Sequence, residues 1–186
     1  MGSRHDVYSA RGAGILTSRL RTFLNPPDRV LDGYIHTGDT VLDFGCGPGY
    51  FTLPMARMVR ESGRVVAVDV QEEMLSILHR RAEEAGLARR IRIHRSLPDS
   101  LAINGSLEVA FALAYHVLHE TGNQGQILGE LAGILRRNGL LLIAEPRYVV
   151  NRAEFRATIE KAVGAGLSVT GSPGIFLSRT ALLRRS

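Results

Sequence analysis

The stretch Val41-Leu42-Asp43-Phe44-Gly45-Cys46-Gly47-Pro48-Gly49-Tyr50 decides the fold of this 186-residue chain. An apolar run ends on an acid, three glycines alternate with other residues, and a helical pattern follows. That order predicts a buried strand, a tight turn and a helix N-terminus, the arrangement that cradles a nucleotide-like cofactor. A second acid, Asp69, closes the next apolar run, Arg64-Val65-Val66-Ala67-Val68. It falls about one strand–helix–strand unit later, where a carboxylate accepts hydrogen bonds from a ribose diol.

Outward from this centre, apolar runs alternate with helical spacing. Helices are expected over residues 13–24, a short segment up to 35, 50–61, 71–85, 125–135 and 151–163. Strands are expected over 40–44, 64–69, 91–94, 107–113 and 140–144, with Asn138-Gly139 ending the helix before the last of these. Residues 96–106 read as loop. Asn151 with Glu154 three residues later has the form of a capping box. Segments 167–170 and 176–184 flank Gly171-Ser172-Pro173-Gly174 with no room for a helix, so they are expected to pair antiparallel. The expected fold is α/β: a Rossmann-like, seven-stranded, mostly parallel sheet with a C-terminal antiparallel hairpin and helices on both faces. One domain is expected over 1–186, with an N-terminal helical segment (1–36) and a cofactor-binding core (37–186).

Composition narrows the function class. Net charge is +5, and Lys161 is the only lysine among 23 basic residues. The arginines are dispersed in pairs such as Arg80-Arg81 and Arg136-Arg137, which describes a solvated surface better than a nucleic-acid footprint. Lys161 falls in a predicted surface helix, which argues against a catalytic lysine. No apolar run approaches the roughly 20 residues of a membrane span, and residues 1–11 lack a signal-peptide core. The lone Cys46 excludes an internal disulfide and is compatible with the cytoplasm. His94, His116 and His119 have no zinc-ligand spacing, so no metal site is expected. Asn25-Pro26-Pro27-Asp28 is a proline turn before a helix.

The glycine turn departs from the dinucleotide fingerprint G-x-G-x-x-G. Its sixth position is Tyr50, and Gly49 makes the spacing G-x-G-x-G. With both acids and the element order, the chain from Thr40 onward resembles the class I S-adenosylmethionine-dependent methyltransferases. Within them it looks most like small, cap-less members near the ubiquinone/menaquinone-type enzymes. The carrying motifs are 41–49, Val65-Val66-Ala67-Val68-Asp69, Gln71-Glu72-Glu73-Met74-Leu75, and the run from Leu135 to Pro146.

The resemblance implies S-adenosyl-L-methionine as cofactor. By it, Asp43, Gly45, Cys46, Gly47 and Gly49 surround the methionine part and Asp69 holds the ribose. Val70 and Met74 flank the adenine, and Ser96 and Leu97 sit at its edge. Ala112, Ala114 and Tyr115 close strand four beneath the sulfonium. Ser96 stands where the family often has an aspartate. Cys46 itself reads as a small buried filler and not a nucleophile.

Methyl transfer from a sulfonium needs alignment above all, worth roughly 7–11 kcal/mol, and a base only where the acceptor loses a proton. In Tyr115-His116-Val117-Leu118-His119-Glu120, His119 is the candidate base, with Glu120 or another acid orienting it. A purely structural role competes for both. Glu145 either faces the pocket or caps a loop, and Tyr8 is a candidate cover for the cofactor. The expected acceptor is a small molecule, nucleic acid being disfavoured. RNA or protein methylation, a non-catalytic S-adenosylmethionine-binding regulator and a nicotinamide-dependent oxidoreductase stay as rivals. Oligomeric state is not readable.

Overall fold

The computed structural model describes residues 25–103 and 106–186; Tyr8 and the helix expected over 13–24 lie outside them. A short helix α1 (Pro27–Leu31) opens on proline at its first position, where a missing N–H costs nothing. Then come β1 (Thr40–Phe44), α2 (Thr52–Met58), β2 (Arg64–Asp69), α3 (Glu72–Glu84) and β3 (Ile91–Arg95). After β4 (Val109–Tyr115) follow α4 (Gln124–Ile134), β5 (Leu135–Pro146), α5 (Arg152–Gly164), β6 (Leu167–Gly171) and β7 (Ser178–Arg185).

The seven strands form one sheet in the order β3-β2-β1-β4-β5-β7-β6. β1 to β5 pair in parallel, and β7 runs antiparallel to both β5 and β6. This is the expected mostly parallel sheet with its closing hairpin. Strand order reverses between β1 and β4, so a crevice opens beyond their carboxyl ends.

Two cores explain why the central strands are apolar throughout. Val41, Val65, Ala67, Phe111 and Leu113 face α1, α2 and α3, where Leu31, Met55 and Leu78 are fully enclosed. Leu42, Val66, Val68, Ala112 and Ile143 face α4 and α5, where Ile127, Leu128 and Leu131 are enclosed. Every residue of β4 is buried, as a two-faced parallel strand requires.

Several local expectations change; the strand expected over 107–113 spans Val109–Tyr115, and the one over 140–144 spans Leu135–Pro146. The helix expected over 50–61 is shorter, because the glycine turn extends to Phe51, and Arg60 (φ 58°) reverses the chain after Met58. Asn138-Gly139 does not end a helix. Helix α4 stops at Ile134, and Leu135 already pairs with Val109. The next pair is Phe111 with Leu140, so five steps on β5 oppose two on β4. The surplus forms a bulge around Asn138, whose φ is 61°. The third strand extends one residue further than expected, to Arg95. The capping box holds: Asn151 accepts from the Ala153 and Glu154 N–H groups, while Glu154 accepts from the Asn151 N–H.

Candidate cofactor crevice and acceptor side

The crevice is built on two carboxylates with different surroundings. Asp43, near the end of β1, is 2% exposed and accepts a 2.6 Å hydrogen bond from the Thr52 hydroxyl at the start of α2. Burial pushes its pKa up to about 7; the Thr52 bond opposes the shift and nearby Asp69 adds to it. Asp69, the last residue of β2, is fixed by main chain on both oxygens. Gly47 N–H donates to Oδ2 at 2.8 Å and Gln71 N–H to Oδ1 at 2.9 Å. Each ionised oxygen keeps a further lone pair, enough for a diol.

The glycines have separate jobs. A Cβ on Gly45 would collide with the Val117 side chain, and one on Gly49 would lie 2.5 Å from Leu78 Cδ1. Those two let the turn pack against its neighbours. Gly47 has φ +50° and nothing within 4 Å of where its Cβ would stand. Its Cβ side is open, and its N–H is the one that holds Asp69.

Along the same edge, apolar side chains stand exposed. Val70 is 42% and Leu97 60% exposed, with Met74 half-buried. The buried Ser96 donates its N–H to the Asp69 carbonyl at 3.0 Å. An acid-lined cradle beside bare aliphatic surface fits S-adenosylmethionine, with cationic and hydroxyl groups at one end and a flat base at the other.

Not every predicted contact has a free surface. Cys46 is 5% exposed and burial pushes its thiol up, so it is a filler without nucleophilic character. Ala112 and Ala114 are fully enclosed within the sheet, paired to Leu42 and Phe44. Both side chains face the α4 layer. Tyr115 packs against Phe51 at 4.6 Å and accepts a hydrogen bond from Asn25 at 3.3 Å.

Beyond β4 the chain turns sharply at His116 (φ 55°), whose ring pairs with the Ser178 hydroxyl at 2.8 Å. Leu118–Glu120 form a single 3-10 turn. His119 Nδ1 is bonded to the Glu145 carboxylate, whose other oxygen accepts from Leu118 N–H at 3.0 Å. That bond is the main reason the His119 pKa is raised. Glu120 is exposed, with Oε1 3.7 Å from His119 Nε2. The orienting acid is therefore Glu145, 1% exposed, and not Glu120. Its signal in the sequence was an acid at the end of an otherwise apolar strand.

His119 and Glu145 border a cavity of about 360 Å³ that also touches Gln124, Val149, Glu154 and Lys161. None of Asp43, Gly47 or Asp69 lines it. Two partners went unread in the sequence. Thr52 holds Asp43, and Asn25 joins Tyr115 to the main chain of Phe176. His94 bonds the Leu101 carbonyl. Among the described residues no group of three or more His, Cys, Asp or Glu is placed to hold a metal, and no helix is long and apolar enough to cross a membrane.

Comparison with known proteins agrees with this geometry. A family model described as "Methyltransferase domain" matches residues 41–139. An uncharacterized 37.1 kDa protein in transposon Tn4556 of Streptomyces fradiae is 30% identical over 141 residues, 70% of this chain and 39% of its own length. The ubiquinone/menaquinone biosynthesis C-methyltransferase UbiE of Azotobacter vinelandii is 27% identical over 60% of this chain and 44% of its own. The chain thus spans less than half the length of these curated relatives. A crystal structure of an S-adenosylmethionine-dependent methyltransferase from Aquifex aeolicus superposes with TM-score 0.76 and 25% identity, covering 88% of this chain and 91% of that one. Motif, strand order and relatives converge: the chain belongs to the class I S-adenosylmethionine-dependent methyltransferase family.

Proposed function

We propose that this protein transfers a methyl group from S-adenosylmethionine to a small-molecule acceptor. One observation supports the reading: in the glycine turn that follows Asp43 at the switch point of the sheet, Gly47 is open on its Cβ side while its N–H holds Asp69. Asp69 would hold the ribose hydroxyls, the turn 45–49 the methionine part, and Val70, Met74 and Leu97 the adenine faces, with Ser96 at the edge. When bound, S-adenosylmethionine supplies a methyl group already activated on a sulfonium.

The protein's share is alignment and, for acceptors that lose a proton, a base. His119 is the base in this reading. Glu145 holds its Nδ1 side, so Nε2 faces Glu120 and is the nitrogen available to take a proton. The same carboxylate favours the protonated ring, so the basic form grows only as pH rises through the raised value. Glu120 lies at the rim and tunes that charge. A cytoplasmic setting, with its single unpaired cysteine, is part of the same proposal.

Incubation with methyl-labelled S-adenosylmethionine and a panel of phenols, amines, quinols and phosphorylated small molecules tests it, with RNA and protein as parallel arms. Label in a small molecule is expected. Label confined to RNA or protein, or tight cofactor binding without transfer to any arm, would overturn it.

A further inference from the structure

On the same sheet edge as the cofactor crevice, a second cavity of about 280 Å³ is lined by Arg147, Arg152, Arg179, Phe155, Ser172 and Thr180, together with Pro173 and Gly174. No carboxylate lines it. The fold gathers these residues from three elements. Arg147 follows the end of β5, Arg152 opens α5 and Arg179 lies near the start of β7. We propose that this cavity holds a dianionic phosphate group of a small acceptor; the assignment to an acceptor rests on the methyltransferase reading above.

Three features support it. Unlike the scattered surface arginines, these three converge on one cavity whose lining holds no acid to offset them. Three like charges around one cavity repel unless an anion joins them.

Two of the three guanidiniums are also fixed in place. Arg147 Nε donates to the Ser178 carbonyl at 2.8 Å, and Arg179 Nε to the Val150 carbonyl at 2.9 Å. With Nε spent on main chain, the terminal N–H groups of each fork remain for a ligand, preorganised for bidentate contact. Finally, Arg152 stands at the first position of α5, where the helix dipole disfavours a cation. Asn151 and Glu154 already cap that end, so Arg152 does not serve the helix there, and an anion in the cavity would pair with its side chain.

The placement suits an acceptor. Neighbouring strands are about 4.8 Å apart, so β7 lies roughly 10 Å from β4 across β5. A phosphate anchored at Arg179 leaves a body of that length to reach the end of β4. The half-buried ring of Phe155 and Pro173 give that body an apolar wall. The His116–Ser178 bond ties the turn after β4 to the residue preceding Arg179, so both ends share one rigid frame.

The test uses the full chain and inorganic phosphate. Amide and arginine Nε–H NMR shifts are followed during titration, for the wild type and Arg152→Glu, with S-adenosylhomocysteine binding measured in parallel by calorimetry. Saturable shifts confined to residues 147–152 and 171–180 are expected, weakened roughly tenfold or more in R152E by loss of a charge-assisted contact. R152E should keep its thermal midpoint, since an acid suits a helix N-terminus, and should keep S-adenosylhomocysteine binding. Shifts that do not saturate, or that are equal in both proteins, overturn the site. A single-stranded RNA that displaces phosphate and binds more tightly, with steep salt dependence, overturns the small-molecule occupant in favour of a nucleic-acid backbone. Phosphate saturation without S-adenosylhomocysteine binding keeps the anion site and overturns its role in methyl transfer.

Discussion

Replacing Asp43 by Asn should make the ligand-free protein more stable in alkaline than in acidic solution, relative to the wild type. Burial raises the Asp43 pKa from 3.8 to about 7. The native state therefore keeps a proton that the unfolded chain has lost, and wild-type stability falls as pH rises from about 4 to about 7. At about 1.4 kcal/mol per pH unit, the full window costs on the order of 4 kcal/mol, of which about 3 kcal/mol lies above pH 5. Asn cannot ionise, yet its carbonyl oxygen can still accept the Thr52 hydroxyl. The His119–Glu145 pair also loses stabilisation as pH rises through the raised His119 value, but it does so in both proteins and cancels in the difference. Urea unfolding of both proteins at pH 5 and pH 8 measures the effect. The variant should gain roughly 2–3 kcal/mol on the wild type between the two pH values. A difference independent of pH would refute the reasoning, because Asp43 would then ionise as freely folded as unfolded.

Three more outcomes follow from the same geometry. Gly47→Asn adds atoms where no protein atom stands within 4 Å, in a residue type that tolerates the φ of +50° there; far-UV circular dichroism should stay native while S-adenosylhomocysteine binding weakens, and unchanged binding would remove the glycine turn from the site. Asp69→Ala deprives the Gly47 and Gln71 N–H groups of their partner, and cofactor affinity should drop by roughly 1–3 kcal/mol; an unchanged dissociation constant rejects Asp69 as the ribose ligand. Glu145→Gln removes the anion that raises the His119 pKa, so the midpoint of an NMR titration of that ring should move to lower pH, and a static midpoint would dissociate the pair.

The strand–turn–helix at 41–58 was legible because every signal in it is local: an apolar run, glycines and an acid within a few residues. The capping box of Asn151 was legible for the same reason. The acid that orients His119 was not, because Glu120 is adjacent in sequence while Glu145 arrives through the parallel pairing of β4 with β5. Asn138-Gly139 misled because a positive φ serves a helix end and a bulge equally well. Ala112 and Ala114 fall at the right place in the motif, but strand alternation and the helix layer above close them off. The arginine cavity was invisible for a topological reason: an antiparallel β7 brings Arg179 beside residues that precede it by about thirty positions.

The most direct test of the central claim is a calorimetric titration of the unmodified protein with S-adenosylhomocysteine and, side by side, with NADH. Saturable one-to-one binding of the first and none of the second is the expected result. Heat with NADH alone, or with neither, would contradict the assignment of the crevice between Asp43 and Asp69.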